Sequence, residues 1–374
     1  PVVFIARRYG RNFKRNHCEK VRYFMSDISS MLEDSVTRLF SDKVNRQLLQ
    51  EQEKTGWAEE LWELTEELGL SSVLVEEDNG GVGGDWTDAY EIVKGCGRFA
   101  VPLPLPETIV ARWLLDQTNL VAPEGPLTLI PAMDGSNAKR IPWGRNVMAG
   151  CITQVTASGT TVRLVDFADA VFANEVNLAK EPRDNCLTVG NLSDGDVNLP
   201  ADASFYLGAM IRSAQISGVA MALLEQAAMY SGERSQFGRN LNKFQTVQHN
   251  LARLATVAAS LDSISRFAFA TMDNVGFKDD ATTDVRFAIA AAKSRASECV
   301  DLICALSHQI HGAIGFTYEH SLHFYSRRAW SWRSEFGGSS YWANTLGDVA
   351  LGLGSEKLWG AITALGINET TTAD

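Results

Sequence analysis

The C-terminal half of the chain consists of long stretches that read as helix. From about Ala203 onward it contains runs such as SFYLGAMIRSAQISGVAMALLEQAAMY and ATTDVRFAIAAAKSRASECVDLICALSHQIHG. These runs are rich in alanine, leucine and small residues, and they are nearly apolar on more than one side of a helix. Such helices need most of their surface covered, so they predict a helical bundle that also packs against another subunit.

Two segments with different sequence patterns precede this bundle. Between Ser26 and about Leu120 the apolar residues recur at helical spacing, with breakers such as Gly69 between the runs. From about Pro123 to Pro200 the runs are short and β-branched, and Gly, Asn, Asp and Pro separate them. The sequence therefore predicts an α+β multidomain chain, with an N-terminal helical domain over residues 25–122, a small barrel-like or sandwich-like β domain over 123–202, and a C-terminal four-helix bundle over 203–374.

The N-terminus and the charge limit the class of protein. Residues 1–24 form a basic leader with seven Lys or Arg and one acidic residue, and we expect Met25 to be the true start, with a targeting arm as the alternative. The leader lacks the apolar core of a secretory signal, and no apolar run looks long enough to span a bilayer. A net charge of -11 disfavours nucleic acid and anionic membranes as partners. The six scattered cysteines indicate reduced thiols and a cytoplasmic protein.

Two features resemble ligand sites without completing one. The loop EEDNGGVGGD has no Lys and lacks the strand, GxGxxG, helix order of a phosphate loop, so a connection between helices is favoured. His308 with His311, and His320 with His323, have the three-residue spacing that can seat a metal on a helix. No cysteine or carboxylate completes a ligand set there, so no metal site is predicted.

The stretch ERSQFGRNLNKFQTVQH, residues 233–249, breaks the helical pattern with residues suited to an anionic nucleotide. Arg234 offers a planar guanidinium matched to a diphosphate, and Phe237 can cover an adenine or a ribose. Gln245 can form hydrogen bonds with the polar edges of a nucleotide. Taken alone, Arg234 could instead be paired in solvent with Glu233, and Phe237 could belong to the core.

A second segment, QIHGAIGF, residues 309–316, follows in the same helical domain. With the order of helical, β and helical domains, the two segments resemble the FAD-dependent acyl-CoA dehydrogenase family over nearly the whole chain after Met25. The resemblance implies that both segments grip the diphosphate and adenine end of FAD bound mainly by the neighbouring subunit. It adds four residues to the predicted cofactor site: Gln309, His311, Gly312 and Gly315. His311 stands where the family usually has another side chain, so it could contact FAD or pack inside the protein.

The catalytic base of that family is not found at its usual places. The resemblance implies α,β-desaturation of an acyl-CoA thioester, in which a glutamate removes the α-proton and the flavin accepts the β-hydrogen as hydride. The commoner base position falls at Phe336, and the other falls at Gly208, followed by Ala209 where an arginine is expected. Glu335 is one residue away, and on a helix that shift turns a side chain by about 100 degrees. Glu335 is therefore the remaining candidate base.

The β domain departs from the family as well, because its TEPxxGSD-like segment and KxWI-like strand are missing. These departures resemble the smaller, non-catalytic subunit of heteromeric α2β2 acyl-CoA dehydrogenases that degrade steroid side chains and related bulky acyl-CoAs. The resemblance implies FAD, an acyl-CoA substrate, a homologous catalytic subunit that shares a widened cleft, and an electron-transfer flavoprotein as acceptor. Two alternatives stay open: a self-sufficient homo-oligomeric dehydrogenase with Glu335 as base, and a scaffold without flavin.

Overall fold

The computed structural model describes residues 27–135, 137–157, 159–277 and 282–364. The predicted leader at residues 1–24 and the predicted start at Met25 lie outside these ranges. The first domain is helical, and short polar residues set where its helices begin. Asn45 accepts a hydrogen bond from the backbone of Leu48, and Asp85 forms a reciprocal capping box with Asp88. Its helices are α1 Asp27–Lys43, α2 Arg46–Thr55, α3 Glu59–Glu67, α4 Trp86–Arg98 and α5 Leu105–Asp116.

The middle domain consists of two four-stranded sheets, in the orders β1-β4-β5-β8 and β2-β3-β7-β6. Strands β1 and β4 run parallel, and the other pairs in these sheets are antiparallel. Side chains from both sheets, including Ile141 of β3 and Val165 of β5, meet in one buried cluster, so the domain is a sandwich. Its strands are β1 Leu127–Leu129, β2 Met133–Asp134, β3 Asn137–Pro142, β4 Ala149–Thr156, β5 Gly159–Asp166, β6 Val171–Ala173, β7 Arg183–Thr188 and β8 Leu192–Asp196.

The C-terminal domain returns to long helices. A hairpin of β9 Ser235–Gln236 and β10 Arg239–Asn240 lies between its first two helices, and a 3₁₀ turn, Gly312–Phe316, follows the third. The predicted α+β class and the order of helical, β and helical domains are confirmed. The helices are α6 Ala203–Glu233, α7 Gln245–Val275, α8 Thr282–His311, α9 Leu322–Trp332 and α10 Ser339–Ala364, the last with a non-helical residue at Gly354.

Helices α4 and α6 join the first and third domains through backbone contact. A Cβ atom at Gly218 would lie 2.0 Å from the carbonyl oxygen of Lys94, and one at Gly97 would lie 2.0 Å from that of Gln215. Only glycine allows the two helices to approach this closely. The crossing therefore fixes the first half of α6 against the N-terminal domain.

Two helical segments, Ala203–Glu233 and Asp284–Phe316, are long and apolar enough to cross a membrane by length and composition. The expectation that no run reaches this length is therefore wrong. The protein interior buries 89% of the most apolar window of the first segment and 56% of that of the second. Core helices of a bundle have this composition because they are surrounded by other helices.

Candidate functional site

The first motif forms a tight hairpin between α6 and α7. Arg234 directly precedes β9, and Phe237 and Gly238 are the two residues that connect β9 to β10. Their φ angles are 54° and 77°, which is the backbone of a type I′ turn. Arg234 is exposed, and 92% of the surface of Phe237 is accessible. The hairpin therefore presents a cation and an aromatic ring to solvent.

The polar groups of this motif are available to a ligand. Arg234 and Gln245 are exposed, and within the described part of the chain their side chains have no hydrogen-bond or ion-pair partner. The alternative in which Arg234 pairs with Glu233 is therefore not what the structure shows. An unpaired guanidinium at the surface can bind a diphosphate without first breaking an internal contact.

The second motif lies beside the first. Asn250 of α7 donates a hydrogen bond to Oε1 of Gln309 at 3.4 Å. The ring of His311 stacks on Tyr230, near the end of α6, with centroids 4.8 Å apart. Gly312 has a φ of 63° and open space where a Cβ would stand. The structure thus brings Gln309 and Gly312 to the same end of the bundle as the hairpin.

Two predicted residues of the second motif are internal. His311 is 3% exposed, and its Nδ1 donates to the carbonyl of Ser307 at 2.8 Å. Gly315 is buried, and a Cβ there would lie 3.0 Å from atoms of His311 and Leu322. His311 therefore packs inside the bundle, as one of the two alternatives expected. Gly315 is needed for close internal packing rather than for an approach to a ligand.

Four histidines lie near the end of α8, and each has an aromatic ring as a neighbour. The rings of His311 and His320 have centroids 4.7 Å apart. Burial lowers the pKa of His308, His311, His320 and His323. Across the described ranges no group of three or more His, Cys, Asp or Glu residues could hold a metal ion. Burial thus disfavours the charged form of all four rings.

Glu335 lies in the turn after α9, between two buried arginines. Its Oε1 accepts a hydrogen bond from Nε of Arg183, and its Oε2 accepts one from Nε of Arg212, both at 2.8 Å. Burial raises the pKa of Glu335, but the charges of Arg183 and Arg212 outweigh burial and bring the pKa down to about 2. A carboxylate with so low a pKa and both oxygens occupied is a poor general base. The geometry therefore argues against Glu335 as the base.

The two positions that correspond to family bases face each other. Phe336 is 3% exposed, with a φ of 52°, so its ring points into the protein. A Cβ at Gly208 would lie 2.3 Å from Cδ1 of Phe336. The phenyl ring therefore occupies the space that any side chain at residue 208 would need.

A buried ionic network surrounds this point and joins all three domains. Arg212 of α6 pairs with Glu107 of α5 at 2.6 Å, and each side chain is 1% exposed. Arg183 of β7 pairs with Glu181 at 3.0 Å, and Glu181 also pairs with Arg328 of α9 at 3.0 Å. Removing one partner from such a pair leaves an uncompensated buried charge, at a typical cost of about 3–5 kcal/mol.

This network was not predicted, although one signal of it is visible in the sequence. Arg212 is the only charged residue between Asp202 and Glu225, in an otherwise apolar helix. A charge placed there has to be buried and paired. Its partners lie in other domains, so their spacing in the sequence does not reveal them.

Lys293 fixes the turn that carries Glu335 and Phe336. Its Nζ donates to the carbonyl oxygens of Arg333 at 2.7 Å and of Gly337 at 2.9 Å. Burial lowers the pKa of Lys293 to about 7, against the opposing attraction of Glu335. The side chain ties α8 to both ends of this turn.

Two domain models of one family match the chain on either side of the β domain. The acyl-CoA dehydrogenase N-terminal domain matches residues 26–117, and the acyl-CoA dehydrogenase C-terminal domain matches residues 201–349. The chain belongs to the acyl-CoA dehydrogenase family. Acyl-CoA dehydrogenases are FAD-dependent oxidoreductases, so the cofactor expected from the sequence is confirmed.

Curated relatives and solved structures agree with this assignment. Acyl-CoA dehydrogenase IpdE2 of Mycolicibacterium smegmatis is 25% identical over 82% of this chain and 93% of that protein. Acyl-CoA dehydrogenase FadE34 of Mycobacterium tuberculosis is 29% identical over 74% of this chain and 40% of that longer protein.

Two solved structures contain chains with the same fold. One chain, from the Tcur3481-Tcur3483 steroid ACAD, has a TM-score of 0.75 and 23% identity over 87% of this chain and 98% of its own length. A chain of the ChsE4-ChsE5 complex of Mycobacterium tuberculosis has a TM-score of 0.76 and 19% identity over 87% of this chain and 97% of its own length. At these identities the likeness establishes the fold.

The residues present fit one part of FAD. Arg234, Phe237 and Gln245 are exposed and suit a diphosphate and an adenosine. The β domain and the bundle, in contrast, meet side chain to side chain, with Arg183 bound to Glu335 at 2.8 Å. The exposed end of the bundle therefore offers groups that can take up part of a nucleotide.

Proposed function

We propose that this chain is the non-catalytic subunit of a heteromeric FAD-dependent acyl-CoA dehydrogenase that desaturates a bulky acyl-CoA of the steroid side-chain type. One observation carries the proposal: the two family base positions hold Phe336 and Gly208, neither of which has a carboxylate, and the ring of Phe336 fills the space beside Gly208. The carboxylate next to Phe336 in the sequence, Glu335, is held by two arginines. The base would therefore come from a homologous catalytic subunit.

The division of labour follows from the chemistry. Bound FAD supplies the hydride acceptor, and a free carboxylate must take the α-proton of the thioester. This chain offers Arg234, Phe237 and Gln245 at its surface, where they would complete the nucleotide site of a neighbour. We infer an α2β2 assembly in which the partner supplies the flavin-ring pocket and an electron-transfer flavoprotein accepts the electrons in the cytoplasm.

The names of the similar proteins support the heteromer and the substrate class. One similar structure is a complex of two named chains, and another is called a steroid ACAD. The alternative of a self-sufficient enzyme needs Glu335 as base, and the pKa of about 2 that Arg183 and Arg212 impose on it disfavours that role. If the chain were a scaffold without flavin, no ligand would account for the exposed, unpaired guanidinium of Arg234.

The test is the flavin content of the purified chain, alone and after co-expression with a homologous subunit that carries an intact base. Anaerobic addition of a panel of acyl-CoAs then follows the loss of the visible flavin absorbance. We expect little flavin in the chain alone, and full occupancy with bleaching in the pair. Full occupancy with bleaching of the chain alone would refute the proposal in favour of a self-sufficient enzyme, and a pair that never holds flavin would favour a scaffold.

A further inference from the structure

The hairpin between α6 and α7 carries an unfavourable residue at its apex. Phe237 occupies the left-handed region at a φ of 54°, which is disfavoured for residues with a Cβ atom. The first position of a type I′ turn prefers Asn, Asp or Gly. The exposed ring of Phe237 gains little by packing in this chain, where its ring neighbour is Phe244 at a centroid distance of 6.3 Å. Something other than the turn's own preference must hold this conformation.

The side chain of Asn240 closes the base of the hairpin on two sides. The hydroxyl of Ser235 donates to Oδ1 of Asn240 at 2.5 Å, which joins the two strands. Nδ2 of Asn240 donates to the carbonyl oxygen of Gly232 at 2.5 Å, which joins the hairpin to the last turn of α6. One amide thus ties both strands to the rigid end of a long helix.

A second brace lies on the other strand. The guanidinium of Arg239 is stacked over the ring of Phe244 at 4.1 Å, directly before α7. The backbone N–H of Leu241 donates to the carbonyl oxygen of Arg234 at 2.9 Å. The hairpin is therefore anchored at α6 by Asn240 and at α7 by Arg239.

We propose that Asn240 is a positioning residue, whose two hydrogen bonds hold the strained turn so that Arg234 and Phe237 are already placed for the diphosphate and adenosine of a dinucleotide. Strain that persists at an exposed position marks a functional site when the surrounding contacts maintain it. Fixing the hairpin before binding reduces the freedom lost on binding and so raises affinity. We call the two hydrogen bonds of Asn240, with Ser235 and Gly232, the clasp. The identity of the ligand rests on the proposed function, whereas the clasp rests on the hairpin geometry alone.

The first test removes the clasp with Asn240→Ala and measures trypsin cleavage after Arg234 and Arg239 in the isolated chain. Losing two hydrogen bonds is expected to speed cleavage there by roughly fivefold to thirtyfold, because proteolysis follows the population of the opened segment. Asn119→Ala, at an exposed asparagine far along the chain, serves as the matched control. Equal cleavage of wild type and Asn240→Ala would overturn the clasp without reference to flavin.

The second test measures flavin per chain in the co-expressed complex. We expect Asn240→Ala to bind FAD roughly tenfold more weakly than wild type at unchanged subunit stoichiometry. Faster cleavage with unchanged FAD affinity would overturn the positioning role. Wild-type complex without flavin would refute the proposed function, and the protease result would still decide the clasp.

A rescue variant separates this role from general loss of structure. Adding Phe237→Asn to Asn240→Ala creates an Asn-Gly apex, the preferred pair for this turn, so trypsin resistance should return to near the wild-type level. FAD affinity should stay low, since the aromatic ring is gone. If Phe237→Asn leaves the cleavage rate of Asn240→Ala unchanged, strain at the apex is not what the clasp restrains.

Discussion

Glu335→Gln is expected to lower the free energy of unfolding by about 3 kcal/mol at pH 7. The folded-state pKa of Glu335 is about 2, against an ordinary value of 4.5. That difference corresponds to about 3 kcal/mol of preferential stabilisation of the carboxylate. The side chain is 10% exposed, so solvent screens the interaction little. A neutral amide would also leave the guanidinium groups of Arg183 and Arg212 without the anion they share.

The same contact predicts a pH dependence with a definite sign. Because the pKa of Glu335 is depressed in the folded state, its contribution is fully present above about pH 4.5. It is lost as the pH falls through about 2. Wild-type protein should therefore lose about 3 kcal/mol more than Glu335→Gln over this window.

Urea unfolding of wild type and Glu335→Gln at pH 7 measures the first effect, and acid titration of the folded signal measures the second. Glu356→Gln, at an exposed glutamate of α10, is the matched control and should unfold like wild type. The reasoning is refuted if Glu335→Gln is as stable as wild type while turnover by the isolated chain disappears. That result would identify Glu335 as a base.

Further predictions concern three other parts of the molecule. Gly208→Ala should cost about 1–3 kcal/mol in urea unfolding, because its methyl group overlaps Phe336. Adding Phe336→Ala should cost less than the sum of the single changes; strict additivity would contradict the contact. Arg234→Ala should weaken FAD retention by the complex roughly tenfold or more at unchanged melting temperature, with the exposed Arg38→Ala as control, because it removes charge-assisted hydrogen bonds to the diphosphate. Burial lowers the pKa of His311 below 6.5, so the unfolded chain gains this proton first and stability should fall as the pH drops below about 6.5. His311→Phe should flatten that dependence in thermal melts at several pH values, and an unchanged slope would exclude His311 as its cause.

Sequence pattern was sufficient for the fold because each domain has its own periodicity. The long apolar helices and the β-branched runs follow from local spacing, and the segment from Arg234 to Gln245 could be recognised as a unit. The position of a side chain relative to other domains could not be derived in this way. His311 looked like a neighbour of the cofactor, yet its ring is stacked on Tyr230 inside the bundle. Glu335 looked like a displaced base until its arginine partners from two other segments were known.

The buried charged groups and the exposed hairpin of this chain differ in whether their side chains have partners. Interior charges such as Arg212 and Glu107 are paired with each other in the described part of the chain, so this pair requires no ligand. At the hairpin, Phe237 is strained and exposed, and Arg234 has no partner among the described residues. Backbone strain at an exposed position, maintained by the surrounding contacts, marks a candidate functional site. For this acyl-CoA dehydrogenase homologue we propose that the ligand binds at the exposed end of the helical bundle, whereas the ring of Phe336 fills the space beside Gly208.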